Sequence, residues 1–157
     1  MQIMIGVLAL SIGSFVYLVD RAPHQTYFVY SLGLNISLHN VLPNLFSPLG
    51  DVLPAFIHVF AFALITAGLL SSGKKGYLII CLSWFLIDTV FEFGQKYSDW
   101  PLKLILDFFE SIPILENAKS FFLRGTFDVY DLVAMALGVV AAYMVLSVTM
   151  RRRYALS

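Results

Sequence analysis

Four stretches of this chain run for a membrane-crossing length with almost no charge, and that feature restricts its fold more than any other. They cover residues 3–19, 53–70, 76–93 and 128–150 and are built mainly from Leu, Ile, Val, Phe and Ala. A helix rises about 1.5 Å per residue, so roughly 18 to 20 residues cross a hydrocarbon core of about 30 Å. Inside such a core each segment must pair its own backbone N–H and C=O groups, which commits these stretches to helices. Composition agrees. With 59% hydrophobic and 13% charged residues in a chain of 157, and a mean hydropathy of +0.83, there is too little polar surface for a soluble globule. The expected fold is all-α: one domain over 1–157, an integral membrane four-helix bundle.

The first stretch has no basic segment before it and no small-x-small cleavage site after it, so it reads as a retained span rather than a signal peptide. Lys74 and Lys75 follow the second span, and Arg151, Arg152 and Arg153 follow the fourth. An even number of spans puts these charges and both termini on one side. Positive charge marks the cytoplasmic side, so a multi-pass cell-membrane protein with both ends inside is expected. The long third loop mixes Lys96, Lys103, Lys119 and Arg124 with acids and carries no such signal.

Two outer segments have further character. Residues 26–38, "TYFVYSLGLNISL", are apolar but too short to cross, which suits a re-entrant or interfacial segment. In residues 100–112, Leu102, Ile105, Leu106, Phe109 and Ile112 follow helical spacing beside Tyr97 and Trp100. That pattern predicts a short interfacial helix in the headgroup layer.

With this topology His58, Asp88, Glu92, Asp128 and Asp131 all fall near the outer ends of three different helices. Asp128 and Asp131 equally suit the positive end of a helix dipole, as N-cap and first-turn acids. Asp88 and Glu92 have no such explanation, because they approach a helix C-terminus, where negative charge is disfavoured. At i and i+4 they share a face, and Gln95 joins them at i+7. An acid at a span centre costs about 2.5–3.5 kcal/mol on insertion scales, less near the interface, so these side chains should point inward toward donors. His58 by itself reads more readily as a satisfied core histidine than as a catalyst, and its depth level with Asp88 brings the two readings even.

Several chemistries are poorly supported. No basic stripe runs through the middle of the chain, so nucleic acid is not an expected partner. The single cysteine, Cys81, excludes an internal disulfide and any CxxC motif, and reads as a small buried hydrophobe. No HExxH fixes a metal, although one histidine among carboxylates leaves a divalent cation open. No GxSxG, GxGxxG or phosphate-binding loop is present, and no cofactor is expected.

"HVFAFALI" in span two, "EFGQ" closing span three and "RGTFDVYDLVAMALG" entering span four occur in that order. Together they resemble the VanZ-like family of small bacterial membrane proteins, over roughly residues 51–146. Glu92 and Gln95 match the family's ExxQ, and Arg124, Asp128, Asp131 and Gly138 match its Arg…Asp…Asp…Gly signature. His58 matches its span-two histidine. Met135 stands where the family usually has Asn, and the Asp-Lys pair before the histidine is replaced by an isolated Asp51. The resemblance implies a cell-envelope role and a link to glycopeptide resistance.

The candidate polar site is therefore His58, Asp88, Glu92, Gln95, Arg124, Asp128 and Asp131. The reading taken forward is binding of a lipid headgroup, a cell-wall precursor or a glycopeptide at the outer leaflet. The alternatives are a membrane-embedded acid–base or metal-assisted enzyme on a lipid-linked substrate, and a transporter or a subunit of a membrane complex.

Overall fold

A computed structural model describes residues 1–22, 37–39, 41–43, 45–70, 73–97 and 126–155, with side chains as far as residue 150. Four helices account for most of these residues: α1 (Gln2–Asp20), α2 (Leu53–Leu70), α3 (Lys74–Lys96) and α4 (Val129–Ala155). No strand occurs among the described residues. All four helices are long and apolar enough to cross a membrane. Compared with the expected spans, α3 is longer at both ends, taking in Lys74 and Lys75 at its start and Lys96 at its end. Asp128 lies just outside α4 rather than in its first turn. The anticipated interfacial helix at 100–112 and nearly all of the apolar segment 26–38 lie outside the described residues.

The helices run alternately up and down. At one end, Gln2 Nε2 donates to Tyr77 Oη at 3.2 Å and to Thr149 Oγ1 at 2.9 Å, joining the start of α1, the start of α3 and the far part of α4. Gly68, in the last turn of α2, lies against Ile3 at that same end. The other end gathers Asp20, Leu53, Lys96 and Val129, and is called the acidic end below.

The central element is α2, with 39% of its apolar window buried against 22% for α1. Glycines on its neighbours let them approach its backbone. A Cβ at Gly138 of α4 would sit 2.6 Å from the Phe56 carbonyl oxygen, and one at Gly6 of α1 would sit 2.8 Å from that of Ala61. Between apolar helices, dispersion contacts of this closeness take the place of a hydrophobic driving force, and only small residues permit them. Away from the acidic end, Ala63, Leu64 and Ala67 of α2 meet Tyr77, Ile80 and Cys81 of α3 and Ala142 and Leu146 of α4 in one buried core. Cys81 is fully buried there, as a small apolar residue would be.

The outward faces are apolar too. Met4, Leu8 and Ile12 of α1, Leu78, Ile79 and Leu86 of α3, and Leu137, Val140 and Met144 of α4 are all exposed. Soluble monomers rarely expose continuous apolar surface on this scale, whereas a bundle in hydrocarbon requires it.

The glycine contacts generate a stability prediction. Gly138→Val forces a branched side chain against the Phe56 backbone and should cost about 1–3 kcal/mol through overpacking. Gly73→Ala meets no atom within 4 Å and should be near neutral. Thermal unfolding of the two variants in detergent checks the difference.

Candidate functional site: a polar end of the bundle

Two pairings organise the acidic end. In the first, His58 on α2 meets Asp88 on α3, with Nδ1 and Oδ2 at 2.6 Å. The two helices set the pair up by simple register, since His58 lies one turn into α2 and Asp88 two turns before the end of the antiparallel α3. The Asp88 side chain is 8% exposed and that of His58 is 48% exposed. A carboxylate on Nδ1 holds the proton there and fixes the ring, turning Nε2 away from the acid. One turn further along, Phe62 stacks on Trp84 at 4.8 Å, and the Phe62 ring stands 4.5 Å from that of His58. Trp84 Nε1 donates to Thr66 Oγ1 at 3.0 Å, so the α2–α3 seam continues as an aromatic ladder below the pair.

The second pairing explains how Glu92 tolerates its place. It sits in the last turns of α3, only 5% exposed, where the local dipole is unfavourable. Its Oε1, however, accepts the Asp128 backbone N–H at 2.6 Å. Asp128 is the residue that caps α4: its Oδ1 accepts the Tyr130 N–H at 2.9 Å. The carboxylate at the negative end of one helix is thus held at the positive end of the next, where free N–H groups and the dipole favour an anion.

Asp131 completes this side. Its charge acts on Glu92 and on the Tyr17 hydroxyl, and it feels Asp128, Arg21 and Asp51 in turn. Its Oδ1 is buried and has no hydrogen-bond partner among the described residues. Thr89 Oγ1, one turn from Glu92 on α3, is buried and unpartnered in the same sense. Gln95 lies partly buried in the last turn of α3. Arg124 lies outside the described residues.

Positive charge at this end is engaged elsewhere. Arg21 donates from Nη2 to the Asp51 carbonyl at 3.0 Å and lies over the Tyr17 ring at 4.7 Å. Lys96 Nζ sits 4.5 Å from the centre of the Phe127 ring. Among the described residues His58–Asp88 is the one ion pair, so Glu92, Asp128 and Asp131 face no paired Lys or Arg there. Nor do three His, Cys, Asp or Glu side chains converge among the described residues in a way that could hold a metal ion.

Sequence reasoning passed over Asp20 and Arg21. Asp20 accepts the backbone N–H groups of Leu45 and Phe46 at 3.1 and 3.0 Å and pins the α1–α2 connection. A Cβ at Gly50 would collide with this carboxylate, so a side chain there would displace the Asp20 oxygens from their two bonds. The available signal was position: both charges end a span at the level of the other acids.

No protein-family model, no curated protein and no solved structure matches this chain.

The Glu92 bond predicts a difference between two substitutions. Glu92→Gln keeps an acceptor for the Asp128 N–H and should leave the bundle intact. Glu92→Ala removes the acceptor of a part-buried donor and should destabilise the bundle by about 1 kcal/mol. Unfolding in detergent, followed by circular dichroism, checks the ordering.

Proposed function

We propose that this chain is a VanZ-like multi-pass protein of the bacterial cell membrane whose acidic end binds an envelope ligand at the outer leaflet. The ligand is a lipid headgroup, a cell-wall precursor or a glycopeptide. One observation carries the reading: Asp131 keeps a buried oxygen with no described partner, beside Glu92 and Asp128 and without a paired Lys or Arg among the described residues. A native bundle leaves buried acceptors unsatisfied rarely, because each costs on the order of 1–3 kcal/mol, and a donor-bearing ligand would supply the missing bonds. The resemblance in "EFGQ" and "RGTFDVYDLVAMALG" points to the same residues and adds the envelope setting.

A second reading rests on a different observation. The His58–Asp88 pair has the arrangement of an oriented general base, with a buried carboxylate on Nδ1 and a half-exposed ring. In that reading the protein is an acid–base enzyme acting on a lipid-linked substrate. His58→Gln would then lower turnover by roughly 10²–10⁴-fold, the usual share of a general base, and leave ligand retention unchanged.

Two experiments test the main reading. Reporter domains fused after Lys75 and after Ser157 should both report cytoplasm; a periplasmic signal from either would refute the orientation that puts the acids at the outer leaflet. Cells expressing wild-type protein should differ from empty-vector cells in glycopeptide susceptibility, and Asp131→Asn at equal membrane levels should lose that difference. A full phenotype from the Asp131→Asn protein would sink the binding role of the cluster.

A further inference from the structure

The seam between α3 and α4 does not stay closed inward of the acidic end. Leu82 and Phe85 of α3 and Ala136 and Val139 of α4 line an apolar groove of about 150 Å³, open at the bundle surface. No polar surface lines it. On α3, Leu82, Phe85, Thr89 and Glu92 fall at i, i+3, i+7 and i+10, so they occupy one face. That face runs from the groove, past the buried unpartnered hydroxyl of Thr89, to the carboxylate bonded at the start of α4. Phe85 and Glu92 are seven residues apart, about 10 Å along the helix axis. On α4, Ala136 lies five residues beyond Asp131, about 7.5 Å further along.

A small residue makes the opening. Ala136 leaves a gap on α4 opposite Leu82 and Phe85, whereas the α2–α4 contact beside Gly138 is closed tightly against Phe56. The pattern along the seam is therefore carboxylates, then a lone hydroxyl, then hydrocarbon, in the order of a phospholipid from headgroup through glycerol to chain. Charge selects among headgroups. Glu92, Asp128 and Asp131 form no ion pair with a described Lys or Arg, and Arg21 is the one described cation that acts on Asp131, so three carboxylates outnumber one cation, which repels an anionic headgroup and attracts an ammonium.

We propose that the α3–α4 seam binds one amine-bearing phospholipid, with its ammonium at Glu92 and Asp131 and an acyl chain in the groove lined by Phe85 and Ala136. This rests on the binding role of the acidic end and adds the ligand class and the second half of the site. The groove is inside the band that the four spans would place in hydrocarbon, so a lipid chain is the occupant at hand; the carboxylates make it a selective site.

The test uses the full-length protein purified in mild detergent, with bound lipid counted by native mass spectrometry. The probes are phosphatidylethanolamine and phosphatidylglycerol carrying identical chains. Wild type should retain phosphatidylethanolamine over phosphatidylglycerol by about tenfold, the worth of one charge-assisted contact. Ala136→Phe fills the groove and should reduce retention of both lipids while keeping the preference. Glu92→Gln should abolish the preference while keeping chain-dependent retention. Ala136→Leu is the milder filling variant if the phenylalanine impairs folding, as judged by its unfolding temperature. Undiminished retention by a folded groove variant, with the preference still lost in Glu92→Gln, overturns the chain site and leaves the headgroup role standing. Equal retention of the two lipids by wild type overturns the amine selectivity itself.

Discussion

The bundle depends on how closely α2 can be approached. Phe56 and Ala61 offer backbone carbonyl oxygens to Gly138 and Gly6, at separations that a side chain on either glycine would forbid. These contacts fix the axial offsets of α1 and α4 against α2, while α3 is set against α2 by core packing and the His58–Asp88 pair. The offset of α3 against its two neighbours puts His58 level with Asp88 and Glu92 beside the start of α4. A shift of one residue, about 1.5 Å along an axis, would separate groups now bonded at 2.6 Å.

Electrostatics at the acidic end follows from the same offset. Glu92 would be poorly placed on an isolated α3. In the bundle it answers the N-terminus of α4 while Asp128 caps that helix through its own side chain. Two acids share one helix start, and Asp131 adds a third nearby. This concentration of carboxylate is tolerable for the folded chain only while the charges are offset by backbone N–H groups, by Arg21 or by a ligand. The end is therefore structural and receptive at once: Glu92 closes the α3–α4 junction, and the neighbouring Asp131 retains an acceptor that nothing described uses.

His58 and Asp88 stand apart from that junction in their partners. They face the α2–α3 seam, over an aromatic ladder of Phe62 and Trp84, whereas Glu92 faces the α3–α4 seam. Asp88 and Glu92 are four residues apart on one helix, yet they serve different neighbours. The single polar stripe of α3 is thus divided between two contacts, one half-exposed and one closed.

Much of this was legible in the sequence because it is set locally. Hydropathy over a window fixes where a helix must form and how long it is, so α1 and α2 fall within a residue of the expected spans. Counting residues from the helix ends placed His58 and Asp88 at one depth, given that successive spans must alternate in direction. The chain alone could not say which donor Glu92 would take. Arg124, the one Lys or Arg of the candidate site, lies outside the described residues, and the partner seen for Glu92 is a backbone N–H that carries no sequence signature. Nor could it reveal the roles of Asp20, Arg21 and Gly50, whose contacts join the end of α1 to a turn 25 to 30 residues away. Helix formation is decided by neighbouring residues. The pairing of polar groups between helices is decided by axial offset and rotation, and those emerge only when the helices pack against one another.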